Sequence, residues 1–188
     1  MKILVIGSGG REHALADAFI RSSAVEIVYV APGNDGIAAS HEQVEAVAIA
    51  VDDIEGLLAF AQEQAVDWTF VGSEAPLALG VVDAFRQHGL TIIGPTKQAA
   101  QLETSKQFAK EVMTEASVLT ASYRTFDSHE LAEAQAYVRQ LTPPIVIKEN
   151  GLAAGKGVSI LESHSEAERI LADVLGKAES HVIIEDYL

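Results

Sequence analysis

Residues 145–160 read "IVIKENGLAAGKGVSI", with three glycines and two lysines between two short β-branched runs. A phosphate cradle and a plain hairpin turn both fit such a stretch. The P-loop template G-x-x-x-x-G-K-S/T is the first comparison. Its glycines free backbone N–H groups for phosphates, its lysine reaches the β- and γ-phosphates, and its hydroxyl serves Mg²⁺. Aligned on Gly155-Lys156, the stretch departs twice: Asn150 stands where the first glycine belongs, and Gly157 replaces the hydroxyl residue. A P-loop also leads into a helix, whereas Val158-Ser159-Ile160-Leu161 reads as another strand. The expectation is strand, Gly-rich loop, strand, with Lys148 closing the first strand and Lys156 inside the loop. Such a hairpin is either a bend with solvated lysines or a flap over phosphates, and this stretch alone leaves both open.

Composition narrows the classes. The chain has 188 residues, enough for one domain or two small ones, and 48% hydrophobic content, ample for a core. Its 13 Lys+Arg stand against 27 Asp+Glu, a net charge of −14, which argues against nucleic acid and anionic membranes as partners. Phosphate-bearing ligands would have to be met by local backbone N–H groups and single lysines. With no cysteine, disulfides, zinc thiolates and a thiol nucleophile are excluded. The opening "MKILVIGSGG" holds one short apolar strand, too short for a signal peptide, and no run approaches the roughly 18 apolar residues of a membrane span. A soluble, cytoplasmic protein is expected.

From Lys2 to Gly94 short apolar strands alternate with amphipathic stretches, the pattern of an open parallel α/β sheet with flanking helices. Strands are expected at Ile3–Ile6, Ile27–Val30, Val44–Ile49, Trp68–Val71 and Thr91–Ile93, with helices at Glu12–Ser22, Ile54–Glu63 and Leu77–Gln87. Ligands of such sheets gather beyond the carboxyl ends of the strands. Those ends read "GSGGREHA", "APGNDG" and "GSEAPL". Gly94-Pro95 closes this region. After a helix around Thr104–Glu115 the pattern becomes strand Ala121–Phe126, helix Ser128–Gln140, the hairpin, helix Ser165–Leu175 and strand His181–Glu185, a small α+β unit with an antiparallel sheet. The expected organisation is an N-terminal domain over residues 1–103, a linker helix over 104–120, and a small α+β subdomain over 121–188. The last residues, "HVIIEDYL", come straight off an apolar strand, so the reading takes the chain as a fragment of a longer protein.

Taken singly, the motifs are ambiguous. "VIGSGGREHAL" (5–15) has Gly7-x-Gly9 but Glu12 where the dinucleotide fingerprint G-x-G-x-x-G needs a third glycine. Its loop suits an approaching anion at a helix N-terminus, or only a tight turn. Glu74, just before Pro76, either binds a substrate amine or hydroxyl or complements a helix dipole. His13 reads as a packing histidine. Lys106 is a surface lysine or, with Lys148 and the glycine loop, part of a cationic phosphate clamp.

Read together, "VIGSGGREHALA", "VAPGNDGIA", "GSEAPLALGVVDAF", "GPTKQAAQLETSKQFAK", "PIVIKENGLAAGKGV" and "VIIEDYL" resemble, in this order and over the whole chain, the phosphoribosylamine–glycine ligases, ATP-grasp enzymes of purine biosynthesis. The resemblance implies a Rossmann-like, substrate-binding N-terminal domain and then the small B subdomain that folds over ATP. The larger C-terminal part of the grasp and its ligands for Mg²⁺ or Mn²⁺ would lie beyond Leu188. It implies that Lys106 and Lys148 meet ATP phosphates, that Gly151, Gly155, Lys156 and Gly157 belong to a flexible phosphate flap, and that Glu185, Tyr187 and Leu188 line the adenine pocket. Gly9, Gly10, Arg11, Gly33, Asn34 and Glu74 are implied as substrate contacts. The implied reaction phosphorylates the carboxylate of glycine with ATP and passes the glycyl group to the amine of 5-phosphoribosylamine, in an enzyme that needs no nucleophile of its own; its oligomeric state is open, with a monomer favoured. The family usually reads "KADG" and "GPEAP" where this chain has "KENG" (148–151) and "GSEAP" (72–76). The alternatives are another ATP-grasp carboxylate–amine ligase, a dinucleotide-binding oxidoreductase, or a non-catalytic ligand-binding module built on the first sheet. The oxidoreductase would need the third fingerprint glycine and an acidic residue after the second strand.

Overall fold

The computed structural model describes residues 1–151 and 157–188. The chain divides into two compact units, Met1–Ala100 and Gln101–Leu188. In order, the elements are β1 (Lys2–Gly7), α1 (Gly10–Ile20), β2 (Ile27–Pro32), α2 (Asp35–Ala38), β3 (Val44–Ala46), α3 (Ile54–Glu63), β4 (Trp68–Val71), α4 (Glu74–Leu79), α5 (Val81–Gln87), β5 (Ile92–Ile93), α6 (Lys97–Thr104), α7 (Lys106–Glu115), β6 (Tyr123–Asp127), α8 (Leu131–Val138), β7 (Ile145–Glu149), β8 (Val158–Leu161), α9 (His164–Leu175) and β9 (His181–Asp186).

The first unit is built on a five-stranded sheet in the order β3-β2-β1-β4-β5, parallel throughout. Its central strand reads as an unbroken apolar run because both faces are covered. Ile3 and Val5 pack with Ala16 of α1, Ile37 of α2 and Val28 and Val30 of β2, whereas Leu4 and Ile6 pack with Leu57 and Ala61 of α3 and Val81, Val82 and Phe85 of α5. β2 continues from β1 to one side and β4 returns to the other, so the strand order reverses between β1 and β4. An open α/β sheet places its ligand crevice at such a point, outside the carboxyl ends of the strands.

The second unit carries an antiparallel sheet in the order β6-β9-β7-β8. One face, with Phe126, Ile145, Ile147, Leu161, Val182 and Ile184, packs on Ala134 and Val138 of α8 and Ala167, Leu171 and Leu175 of α9. The register puts Tyr123, Val146, Lys148, Val158, Ile160, Ile183 and Glu185 on the other face. Ser163 caps α9 by accepting from Glu166 N, as Asp53 caps α3 by accepting from Gly56 N, so both helices start where a side-chain acceptor replaces the missing intrahelical one.

The structure breaks two expected helices. The helix expected over Leu77–Gln87 is two pieces, because Gly80 between them is left-handed at φ +96° and ends α4 before α5 begins. The helix expected over Thr104–Glu115 starts at Lys106. Ser105 is extended and its hydroxyl accepts from Phe108 N at 3.2 Å, which separates α7 from the unanticipated α6. The third strand is shorter than expected, Val44–Ala46, and α2 was not anticipated.

One tight packing contact yields a stability prediction. Glu12 is 4% exposed, and its carboxyl group lies directly against Gly7 and Gly72: a Cβ at Gly72 would stand 2.8 Å from Glu12 Cδ, and one at Gly7 2.6 Å from it. Gly72→Ala forces this pinned side chain aside and is expected to destabilise the first unit by about 1–3 kcal/mol. Thermal unfolding checks it, and a variant that melts with the parent contradicts it.

Candidate functional site

In the first unit three loops leave the carboxyl ends of the adjacent strands β2, β1 and β4, and side chains lace them together. Asn34, after β2, donates from Nδ2 to Ser8 O after β1 at 2.7 Å, while its Oδ1 accepts from Ile37 N at 2.9 Å and starts α2. Gly33 is left-handed at φ +64°, with its N–H on Gly7 O at 3.1 Å, and a Cβ there would stand 2.9 Å from Val30 O, so only glycine fits this turn. Arg11, in the first turn of α1, crosses from the β1 loop to the β4 loop, donating to Gly72 O and to Glu74 Oε1, the latter at 3.2 Å. Its span is the place where the strand order reverses.

Glu12 braces the cluster from below. Gly9 caps α1 and donates its N–H to Glu12 Oε2 at 2.6 Å. A glutamate thus fills the volume that a third fingerprint glycine would leave open for helix and strand to close together. Ser73, beside Glu74, has a buried hydroxyl without a hydrogen-bond partner among the described residues. A buried polar atom left so calls for an explanation, and a ligand is one. Gly9, Arg11, Gly33, Asn34 and Glu74 therefore share one end of one sheet. Gly10 opens α1 with nothing within 4 Å of where a Cβ would be, so packing does not require a glycine there.

In the second unit Glu185, near the end of the inner strand β9, is 4% exposed and forms ion pairs with two lysines. Lys148 Nζ donates to Oε2 at 2.8 Å, and Lys110 Nζ stands 3.3 Å from Oε1. The first pair follows from the register: Lys148 lies opposite Ile183, two residues from Glu185, so the two side chains are diagonal neighbours on one face. The second comes from α7. Lys110 is one turn after Lys106, on the same side of that helix.

Lys106 donates from Nζ to Gly151 O at 2.7 Å, which brings it to the loop that Lys148 opens. Asn150 ties the same loop to α7: its Oδ1 accepts from Ser105 Oγ at 3.4 Å and from Gln107 N at 3.3 Å. It thereby caps a free N–H of the first turn, as Ser105 caps that of Phe108. An asparagine at this position thus has a defined task. Gly157 follows with its carbonyl accepting from Glu149 N at 2.8 Å. Tyr187 and Leu188 are exposed. Gly155 and Lys156 lie outside the described residues.

The sequence reading missed two members of these clusters, Glu12 and Lys110. A charged residue where a fingerprint wants glycine was the available signal for the first, and two lysines one helical turn apart for the second. Like charges at that spacing repel unless something anionic faces them.

The Glu74 carboxyl is held below its usual range, first by the hydrogen bond from its own backbone amide, then by the Arg11 guanidinium, with desolvation acting against them. A lowered carboxylate stabilises the fold above the unfolded value near 4.5 and loses that contribution as pH falls through the lowered one. Both side chains are well exposed, so the pair is worth about 1 kcal/mol or less. Arg11→Ala should move the Glu74 titration upward, though not fully, since the backbone bond stays. Carboxyl ¹³C NMR reads this, and an unmoved titration contradicts the pairing.

The comparisons with known proteins follow the two units. Residues 1–103 match the family model described as phosphoribosylglycinamide synthetase, N domain, and residues 104–188 that of phosphoribosylglycinamide synthetase, ATP-grasp (A) domain. The chain is 50% identical over 193 residues to the phosphoribosylamine–glycine ligase of Vibrio cholerae, covering all of this chain and 44% of that protein. The crystal structure of phosphoribosylamine–glycine ligase from Thermotoga maritima superimposes over the whole chain and 44% of its own length, with TM-score 0.77 and 28% identity. The biotin carboxylase domain of Hydrogenobacter thermophilus 2-oxoglutarate carboxylase, at 18% identity and TM-score 0.74, shares the fold. The chain thus spans less than half the length of the relatives it matches, and it belongs to the phosphoribosylglycinamide synthetase family of ATP-grasp proteins.

Proposed function

We propose that the protein to which this chain belongs is an ADP-forming ligase that joins glycine to 5-phosphoribosylamine in purine biosynthesis. Family membership supports this reading. The observation that carries the nucleotide part of it is local: α7 brings Lys106 to the loop that Lys148 opens, which puts two cations at the edge of a glycine-rich hairpin. The first unit is then the substrate-binding domain, with Gly9, Gly10, Arg11, Gly33, Asn34 and Glu74 as contacts for the ribonucleotide and Ser73 Oγ as a further polar group facing it. The second is the nucleotide-binding lid. Lys106, Lys148, Gly151, Gly155, Lys156 and Gly157 meet the phosphates, and Glu185, Tyr187 and Leu188 border the adenine.

The chemistry asks little covalent work of the protein. An oxygen of the glycine carboxylate attacks the γ-phosphorus of ATP and ADP leaves. The amine of phosphoribosylamine then attacks the carbonyl carbon of glycyl phosphate, phosphate leaves, and the amine loses a proton. Positioning the reactants and stabilising charge on the transferring phosphoryl group supply the rate. A divalent ion, Mg²⁺ or Mn²⁺, would shield the β- and γ-phosphates. Among the described residues no group of three or more His, Asp or Glu is placed to hold one, and the buried Glu185 is already taken up by two lysines.

The net charge of −14 supports small-molecule substrates over nucleic acid, and no helix among the described residues is long and apolar enough to cross a membrane. A monomer working in the cytoplasm completes the reading.

The substrate assignment is tested with the stable product, glycinamide ribonucleotide, titrated calorimetrically into the chain. Asn34→Ala and Glu74→Ala together should weaken binding at least about tenfold, since each removes a hydrogen-bonding group that lines the loop cluster. Equal binding by the parent and the double variant contradicts the assignment.

A further inference from the structure

The balance of charge around Glu185 assigns a role to a third lysine. Lys110 is 8% exposed. Its ammonium donates to Thr120 Oγ1 at 2.6 Å and to Ala121 O at 3.4 Å, stands 5.3 Å from the centre of the Tyr123 ring, and lies 3.3 Å from Glu185 Oε1. So surrounded, it is in no position to reach a ligand itself. Yet Oε1 receives no directed hydrogen bond among the described residues, so Lys110 acts on this oxygen by charge.

That charge matters for Lys148. A buried carboxylate facing one ammonium makes a neutral pair, and a neutral pair attracts a phosphate weakly. Two ammonium groups against one carboxylate leave one positive charge on the cluster. Of the two, Lys148 is the more open, its side chain 28% exposed against 10% for Lys110. The surplus charge is therefore displayed where Lys148 is. In a partly desolvated site such a difference is worth much more than it would be in water.

We propose that Lys110 is a positioning and charge-balancing residue: by compensating Glu185 from the Oε1 side, it leaves the Lys148 ammonium oriented by Oε2 yet free in charge to receive a nucleotide phosphate. This rests on reading the second unit as nucleotide-binding. Lys110 makes no contact with the nucleotide and acts through Glu185 alone.

The test is a set of charge variants at Lys110 in the full-length protein to which this chain belongs, titrated with ATP while folding is followed by circular dichroism. Lys110→Met should weaken ATP binding about tenfold, because Glu185 then cancels the Lys148 charge. Lys110→Arg, which keeps a cation facing Glu185, should bind within about threefold of the parent. The inference is overturned if folded Lys110→Met binds ATP like the parent, or if folded Lys110→Arg is as weak as Lys110→Met. Should Lys110→Met fail to fold, Lys110→Gln, which keeps a polar group for Thr120 and Ala121 but no charge, carries the test: a tenfold loss supports the inference and binding within threefold of the parent overturns it. A parent protein with no saturable ATP binding removes the nucleotide reading, and this inference with it. A binding parent with an unaffected Lys110→Met variant removes this inference alone.

Discussion

A carboxylate buried in a β-sheet has to be compensated, and Glu185 imposes that requirement on the second unit. Exposed to only 4%, it would be costly alone, and pairing it constrains two other elements. β7 must run beside β9 in the register that sets Lys148 diagonal to it, and α7 must lie close enough for Lys110 to reach its other oxygen. Once α7 is there, Lys106 at its first turn falls on Gly151, and Asn150 finds the free N–H of Gln107. A buried ion cluster is weak support for stability. Its contribution here is placement: one carboxylate fixes where the cations stand.

In the first unit the same kind of constraint is met with a single chain of contacts. The backbone of the β1 loop approaches the β4 loop only because Gly7 and Gly72 leave room for the Glu12 side chain, and Glu12 in turn holds Gly9 at the helix start. Arg11 and Asn34 then tie the flanking loops to this one. The cluster resembles a dinucleotide site in position, at the point where strand order reverses, but the space above the third fingerprint position is filled by a charged side chain. The sheet type is that of many nucleotide-binding proteins, and the loops differ in chemistry.

Much of this was legible in the residues. Apolar runs separated by glycine-rich strand ends gave the parallel sheet, since strands covered on both faces need no polar alternation. The failed P-loop alignment at Asn150 and Gly157 pointed to a hairpin, and Lys148, Lys106 and Glu74 stood out by their neighbours. Less visible were features that depend on distance in the fold. Gly80 divides a helix that periodicity alone joins, because a left-handed residue leaves the apolar pattern intact. Ser105 starts a new helix one residue after another ends, which composition cannot signal. Glu185 was read from resemblance as part of an adenine pocket, and its pairing needed the register of β7 and β9 for Lys148 and the placement of α7 for Lys110 to appear. Lys110 looked like any lysine of an amphipathic helix.

On the proposed function, nucleotide phosphates are met in the second unit, by lysines set around the hairpin, and not at the glycine loops of the first sheet. A crystal structure of this chain with ADP tests it most directly. The expected structure has the diphosphate within hydrogen-bonding distance of Lys148 and Lys106, with the Lys106 ammonium moved from Gly151 O onto a phosphate oxygen. ADP seated on the loops after β1, β2 and β4, or with its phosphates away from both lysines, would contradict it.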